Sequence, residues 1–352
     1  MSDAPDVSCR KRPKAALVRD VLFVVGLAIL ATLSWQIGLP QILTYLQPLG
    51  WRFVLVFLAY LLVFVCDTLG WRYAFTRMPP LGFPRLLALQ IVGKAANLMT
   101  PLLPVGGEPL KAYLLHVRGV PLAEGLASVV VARTLATVAN GLFVLGVTGV
   151  IVVQLGLPVS LLEAMAAVLV LGGGLVGAFL VAQTRGLFAG LLGMVRRLKL
   201  RLSLPEEGAR DLDRRLAGYY RGQRGRLALS LTWHLLAWLV EGVEVYVLLW
   251  LLELPRSPAL AIGIVALASA IRAASFMIPA SLGIQEGGNV FIFASVGLPP
   301  EAAMAFTLLR RMREWGWVAV GWLLVSWFGL APRLPLAAAT AGHEPGAVRC
   351  QR

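Results

Sequence analysis

The chain has little charge and very little cysteine. Only 14% of its 352 residues are Asp, Glu, Lys or Arg, whereas 58% are hydrophobic, and the mean hydropathy is +0.78. Soluble domains carry about a quarter charged residues, so this composition excludes an ordinary soluble domain and indicates an integral membrane protein. Cys9, Cys66 and Cys350 lack the spacing of disulfide partners or metal ligands, and we expect neither a metal site nor a cofactor.

Two kinds of pattern are also missing. The sequence lacks the polar–apolar alternation of barrel strands and the Gly-x-x-x-x-Gly-Lys-Ser/Thr motif of a nucleotide-binding loop. Helices and closed barrels are the two structures that cross lipid with their backbone groups hydrogen-bonded. The sequence therefore predicts an all-α, polytopic helical bundle in which any net transport is passive or ion-driven. No Ser/His/Asp or Cys/His set indicates hydrolysis, and we do not expect an enzyme.

Positive charge is abundant but concentrated. The formal net charge is +14, with eleven Lys or Arg in the loop 185–226 and five in 10–19. Positive loops beside apolar spans favour the cytoplasmic face of a membrane. This distribution predicts a multi-pass protein of the cytoplasmic membrane and argues against a nucleic-acid partner.

One polar pattern occurs twice, 178 residues apart and without a gap. The equivalent pairs are Lys94 and Arg272, Pro101 and Pro279, Glu108 and Glu286, Gly119 and Gly297, Pro121 and Pro299, and Arg133 and Arg311. A membrane protein built twice around charged segments broken by Gly and Pro is typical of a carrier with its site at the repeat interface.

The apolar runs predict six spans at about 21–39, 53–71, 125–153, 161–183, 227–252 and 302–330. Proline and glycine interrupt two further segments, about 84–118 and 259–296, which we interpret as re-entrant helix pairs. The predicted organisation is a basic N-terminus (1–15), a first membrane half (16–183), a basic cytoplasmic loop (184–226), a second half (227–331) and a flexible tail (332–352). Because 53–71 runs inward and its equivalent in 227–252 runs outward, the halves are predicted to be inverted repeats.

Three arginines leave an alternative topology open. In the arrangement above, Arg310, Arg311 and Arg313 begin on the outer side, where positive charge is disfavoured. If 259–279 crossed the membrane completely, these arginines would face inward and the C-terminus outward.

Ionisable residues inside a membrane are costly and indicate a functional site. The candidates for substrate binding are Lys94, Glu108, Arg133, Arg272, Glu286 and Arg311, and the backbone hinge positions are Pro101, Gly106, Gly107, Pro279, Gly283 and Gly287. Glycine lets backbone N–H groups approach a ligand, and half-helix N-termini favour anions, so we expect an anionic lipid head group. In the alternative interpretation, Lys94–Glu108 and Arg272–Glu286 are internal ion pairs, and both interpretations can hold together.

Three other carboxylates lie in predicted spans. Glu241 and Glu244 are one turn apart, and Asp67 lies one position from the repeat equivalent of Glu244. They could relay protons and couple transport to a gradient. The alternative is that they are bonded to neighbouring helices or lie near the helix ends.

The polar motifs resemble the transmembrane region of lysylphosphatidylglycerol synthases. The resemblance rests on Asn97, Pro101, Pro104, Gly106, Gly107, Glu108, Pro109, Leu115, Gly119 and Arg133, and then on Pro279, Gly283, Glu286, Gly287, Gly297, Arg310 and Arg311. It implies lipid translocation or lipid-carrier handling in the cytoplasmic membrane, since the family includes flippase-like and hopanoid-associated proteins. The sequence has no soluble synthase domain after residue 330, so we expect the membrane module alone.

Three hypotheses follow from these features. The first is a flippase-like carrier of an anionic-headed lipid or an isoprenoid lipid carrier. The second is a non-transporting accessory protein that serves an enzyme of lipid or cell-envelope glycan biosynthesis. The third is a lipid-modifying membrane enzyme, for which the sequence offers no catalytic constellation.

Overall fold

The computed structural model describes residues 49–99, 106–155, 159–188, 190, 206–274 and 284–327. The predicted N-terminal span 21–39, the tail 332–352 and the hinge residues Pro101, Pro279 and Gly283 lie outside this part of the chain. The described residues form helices and no strand. After a short 3-10 turn at Gly50–Phe53, the α-helices are α1 (Val54–Tyr73), α2 (Phe83–Met99), α3 (Gly107–Val117), α4 (Leu122–Leu155), α5 (Val159–Thr184), α6 (Glu206–Gly222), α7 (Arg224–Leu251), α8 (Pro258–Ala274), α9 (Ile284–Ser295) and α10 (Pro300–Trp327).

Three helical segments in the described ranges are long and apolar enough to cross a membrane. They are Gly50–Tyr73, Leu122–Val147 and Arg224–Leu251, and they coincide with the spans predicted at 53–71, 125–153 and 227–252. Helix α10 has 28 residues, but it carries Arg310, Arg311, Arg313 and Glu314 near its middle and is not among these three. Helix α5 contains a shorter apolar stretch, Val170–Gln183.

The order of helices in the first half recurs in the second half at the offset of 178 residues. Helix α3, Gly107–Val117, becomes 285–295 when shifted, and α9 is Ile284–Ser295. The turn after each of these helices contains a glycine with positive φ, Gly119 at 87° and Gly297 at 74°. Only glycine adopts this conformation without steric cost, which explains why both repeats keep it.

The equivalent helices α1 and α7 pack against each other in antiparallel directions. As the residue numbers rise along α7, those of their partners in and just after α1 fall. Arg226 Nε donates to Phe75 O at 2.8 Å, and Ser230 Oγ donates to Gly70 O at 2.8 Å. Further along, His234 Nδ1 lies 3.2 Å from Asp67 Oδ1, and Ala237 packs with Val63 and Cys66. Helices α1 and α7 therefore run in opposite directions along their contact.

The buried hydrophobic residues form two large cores, one mainly in each half. The first-half core joins the end of α1, the start of α2, the end of α3, the start of α4 and α6. The second-half core joins the end of α7, the start of α8, the end of α9 and the start of α10. Nine buried positions correspond at the offset of 178 residues: Trp71/Leu249, Ala74/Leu252, Leu86/Ile264, Leu89/Leu267, Leu114/Ile292, Leu115/Phe293, Val120/Leu298, Ala127/Ala305 and Val131/Leu309.

The two hydrophobic cores also contain the outer parts of two helix pairs, α2 with α3 and α8 with α9. The start of α2 and the end of α3 share the first-half core with the end of α1. The start of α8 and the end of α9 share the second-half core with Leu49 and Val56, at the start of α1. The pairs α2–α3 and α8–α9, here called the first and second hairpins, therefore lie at opposite ends of α1.

Helix α6 anchors part of the basic loop to the first half. Tyr219 donates a hydrogen bond to Tyr73 O at 2.9 Å, and Tyr220 donates one to Gln183 Oε1 at 2.8 Å. Burial raises the pKa of Tyr219, and it raises the pKa of Tyr220 to about 12. Both hydroxyls therefore remain protonated donors at neutral pH.

Candidate functional site

Arginine and glutamate side chains form a connected network in the second half. Arg272 Nη2 lies 3.3 Å from Glu241 Oε1, Arg313 Nη1 lies 2.6 Å from Glu244 Oε1, and Arg311 Nη2 lies 3.1 Å from Glu286 Oε1. Arg310 contacts both Glu241 and Glu244, and Glu314 contacts Arg311 and Arg313. We call these eight residues the arginine network. It connects α7, α8, α9 and α10, and its four cations balance its four carboxylates.

Several charged side chains of the arginine network are buried, so their charges require partners. Glu244 is 0% exposed and Arg313 is 1% exposed. Unpaired charges in such positions would cost several kcal/mol each, so the pairs must form together. Arg310, Arg311 and Arg313 therefore lie inside the bundle with acidic partners, and they do not act as loop charges in the sense of the positive-inside rule. The pairing gives these charges partners inside the bundle, and the choice between the two topologies stays a prediction.

The three carboxylates proposed as a proton relay have different partners. Glu241 and Glu244 are held by arginines, whereas Asp67 contacts His234 across the α1–α7 packing. His234 is 3% exposed, and its ring lies against Gly70, where an added Cβ would come within 2.7 Å of Nε2. In the sequence, His234 stands out as a lone histidine in an apolar helix. That position alone does not identify Asp67 as its partner.

Glu108 in the first hairpin is bound by an amide. Asn97 Nδ2 donates to Glu108 Oε1 at 3.3 Å, and the Gly107 N–H donates to Asn97 Oδ1 at 2.7 Å. Glu108 Oε2 is buried without a hydrogen-bond partner in the described ranges. Within these ranges no ion pair joins Lys94 to Glu108, so the Lys94–Glu108 pair considered from the sequence is wrong. Asn97, one turn after Lys94, occupies the place of the expected cation.

In the first hairpin, the helices α2 and α3 approach each other closely at Gly93 and Gly107. A Cβ on Gly107 would overlap the carbonyl oxygen of Gly93, so the hinge glycine Gly107 is required for the approach of α3 to α2. Gly106 lies just before α3, and Gly287 lies in the first turn of α9, beside Glu286.

Lys94 lies where the two halves meet. It lines a cavity of about 50 Å³ together with Tyr60, Phe64, Ala95, Leu98, Glu314, Trp317 and Val318, which come from α1, α2 and α10. The Lys94 side chain is half-buried, and no ion pair to it is found in the described part of the chain. Such a cavity holds a few water molecules but not a lipid head group, so binding requires these helices to separate.

Two further cations accompany Lys94 in the first half. Arg133 is exposed on α4, and among described residues its guanidinium has no acidic partner. Lys111 on α3 is 9% exposed. Lys111 Nζ donates to Gln90 Oε1 at 2.9 Å and lies 5.2 Å from the centre of the Trp71 ring. Sequence reasoning missed Lys111 because the second half has a neutral residue, Asn289, at the equivalent position.

The described residues contain no group of three His, Cys, Asp or Glu side chains that could hold a metal ion. The cations near the α1–α2–α10 cavity are lysine and arginine, which suit phosphate and carboxylate groups. The geometry therefore defines a helical membrane protein with buried, charged side chains inside its helical bundle.

The chain belongs to the family of the lysylphosphatidylglycerol synthase transmembrane region, whose model matches residues 20–338. It is also similar to a UPF0104 membrane protein of Methanothermobacter thermautotrophicus. The two are 25% identical over 334 residues, an alignment that covers 88% of this chain and 95% of the relative. No solved structure matches the chain significantly.

Proposed function

We propose that the protein is a flippase-like carrier that moves a lipid with an anionic head group, or an isoprenoid lipid carrier, across the cytoplasmic membrane. The main support is the position of Lys94, a half-buried cation beside a cavity between the halves, with no acidic partner in the described ranges. A charge in such a position is costly unless a ligand or water compensates it. An anionic head group would supply that compensation while its tail remained in lipid.

The proposed architecture is a pair of inverted repeats with re-entrant hairpins. The antiparallel packing of α1 and α7 supports the inversion. The two cores, at opposite ends of α1, support hairpins that enter from opposite sides of the membrane. Inverted repeats of this kind provide two related conformations, each open to one side, as a carrier requires.

The cations have unequal roles in this proposal. Lys94 and Arg133 bind the head group, because neither has an acidic partner in the described part of the chain. Arg272 and Arg311 hold Glu241 and Glu286 in this conformation. Glu108 balances the charge of the first half when the site is empty.

A specific observation supports a second candidate, a non-transporting accessory protein. The cavity at Lys94 is only about 50 Å³, so the conformation described has no room for a head group. An accessory protein would need no such opening. It would hold a lipid at its surface or bind an enzyme of lipid or glycan biosynthesis.

A translocation assay with the purified full chain tests the proposal. Fluorescently labelled phosphatidylglycerol is placed in one leaflet of reconstituted vesicles, and its movement is followed by chemical quenching from outside. We expect faster movement than in protein-free vesicles and a rate at least about ten-fold lower for Lys94→Met, since a charge-assisted hydrogen bond contributes about 1.5 kcal/mol or more.

The matched control is Arg77→Met, which removes one exposed cation from the turn after α1 and should leave the rate unchanged. Equal rates in protein-containing and protein-free vesicles would refute the carrier. If the protein also co-purified with a biosynthetic enzyme, the accessory role would take its place.

A further inference from the structure

The two halves differ in charge balance. The arginine network of the second half has four cations and four carboxylates. The corresponding region of the first half contains three cations, Lys94, Lys111 and Arg133, and two carboxylates, Asp67 and Glu108. Counting Lys, Arg, Asp and Glu, these side chains carry a formal charge of +1. Glu314 of the arginine network also lines the Lys94 cavity, and the two charged regions taken together have one surplus cation.

Geometry brings Lys94, Asp67 and Lys111 together along one face of α1. Tyr60, Phe64, Asp67 and Trp71 recur at helical spacing. Lys94 shares the cavity with Tyr60 and Phe64 at one end, and Lys111 lies over the Trp71 ring at the other. The stem of Lys111 crosses Gly93, the residue next to Lys94. The charges of Lys94, Asp67, Glu108 and Arg133 all act on Lys111.

Lys111 is the least compensated buried cation of this group. Among the described residues, its direct contacts are the neutral Gln90 side chain and the Trp71 ring. Burying an ammonium without a carboxylate in direct contact is unfavourable, and an arriving anion would lower that cost. Glu108 Oε2, buried and without a hydrogen-bond partner among described residues, can accept a bond from a donor group of the same ligand.

We infer that Lys111 completes the head-group site with Lys94 and Arg133, and that this site selects lipids whose head group carries one negative charge, such as a phosphodiester. The inference rests on the proposed function for the identity of the ligand as a lipid. It assigns binding to the first half and a structural role to the arginine network. A singly charged phosphodiester neutralises the formal charge of the first half, whereas a phosphomonoester, with up to two charges, exceeds it.

Equilibrium binding tests this site without requiring transport. The full chain in neutral detergent is titrated with short-chain phosphatidylglycerol, phosphatidic acid and phosphatidylcholine. We expect phosphatidylglycerol to bind at least about five-fold more tightly than the other two. Lys111→Met, which keeps the length of the stem over Gly93, should weaken phosphatidylglycerol binding about ten-fold. Arg77→Met, on the exposed turn, should leave it unchanged.

A second variant shifts the lipid preference towards phosphatidic acid instead of removing binding. Glu108→Gln keeps an oxygen that accepts from Asn97 and raises the formal charge of the first half by one. We expect its affinity for phosphatidic acid, relative to phosphatidylglycerol, to rise several-fold. Unfolding temperatures close to that of the wild type would show that both variants are folded.

Two results would overturn the inference. One is equal binding of the three lipids to the wild-type protein, and the other is an unchanged lipid preference in both Lys111→Met and Glu108→Gln. Selective binding by a protein that moves no lipid in vesicles would refute the carrier but retain the site. Translocation that is unaffected by Lys111→Met would retain the carrier but reject Lys111 as part of its site.

Discussion

The Glu244–Arg313 pair allows the most quantitative test of the arginine network. Glu244 Oε1 and Arg313 Nη1 lie 2.6 Å apart, and the two side chains are 0% and 2% exposed. Breaking a buried pair by removing one partner costs about 3–5 kcal/mol. In Arg313→Met, Arg310 at 3.9 Å is the one cation that Glu244 keeps among the described residues, and the contact of Arg313 with the Tyr60 ring, at 3.6 Å, is also lost.

We therefore expect Arg313→Met to lower stability by about 3 kcal/mol or more, which corresponds to roughly 6 °C in Tm. The measurement is thermal unfolding of the purified protein in detergent. The matched control is Arg215→Met on α6, because Arg215 pairs with Asp211 at 2.8 Å with both side chains 36% exposed. Exposed pairs contribute less than about 1 kcal/mol, so this variant should lose only one or two degrees.

The double variant Glu244→Met/Arg313→Met separates pairing from packing. It removes both charges, so no unpaired carboxylate remains, and its loss should be smaller than the sum of the two single losses by about 1–3 kcal/mol. If Arg313→Met unfolded at the same temperature as Arg215→Met, the buried pair would not stabilise the fold as expected. The same would follow if the stability losses of the two single variants added up to that of the double variant.

Two predictions concern the backbone. Gly107→Ala should lower Tm by several degrees because the added Cβ meets the Gly93 carbonyl oxygen. The control Gly141→Ala on α4, with open space around it, should be neutral or stabilising. Equal shifts of Tm in thermal unfolding would contradict the close approach of α2 and α3. Gly119→Ala and Gly297→Ala should each cost about 1 kcal/mol, since both residues have positive φ. A loss at only one of them, measured by the same method, would show that the two turns are not equivalent.

The positions of the helices along the chain could be predicted well because their signals are local. Long apolar runs marked α1, α4 and α7, and the Gly/Pro-rich stretches separated α2 from α3 and α8 from α9. The 178-residue offset relates the helices α2–α4 to α8–α10. In both groups a glycine with positive φ follows the short helix. The division of the chain into domains and the roles of the site residues stay predictions.

The partners of the charged residues could not be predicted, because helical spacing shows which residues share a face but not which helix that face meets. Arg310 and Arg313 therefore looked like signals of membrane orientation, although their acidic partners lie 69 residues earlier in the chain. Lys94 and Glu108 looked like an ion pair, although an amide from Asn97 binds the carboxylate. Lys111 was missed because the repeat does not keep its charge.

The central claim is that the two halves are inverted across the membrane, and cysteine labelling tests it most directly. Leu122 and Pro300 are repeat equivalents, both exposed at the starts of α4 and α10, and each is replaced by cysteine in a chain without Cys9, Cys66 and Cys350. In cells, a membrane-impermeant maleimide should label Pro300→Cys from outside, whereas Leu122→Cys should react only after the membrane is opened. Labelling of both positions from the same side would contradict the inverted architecture and the carrier built on it.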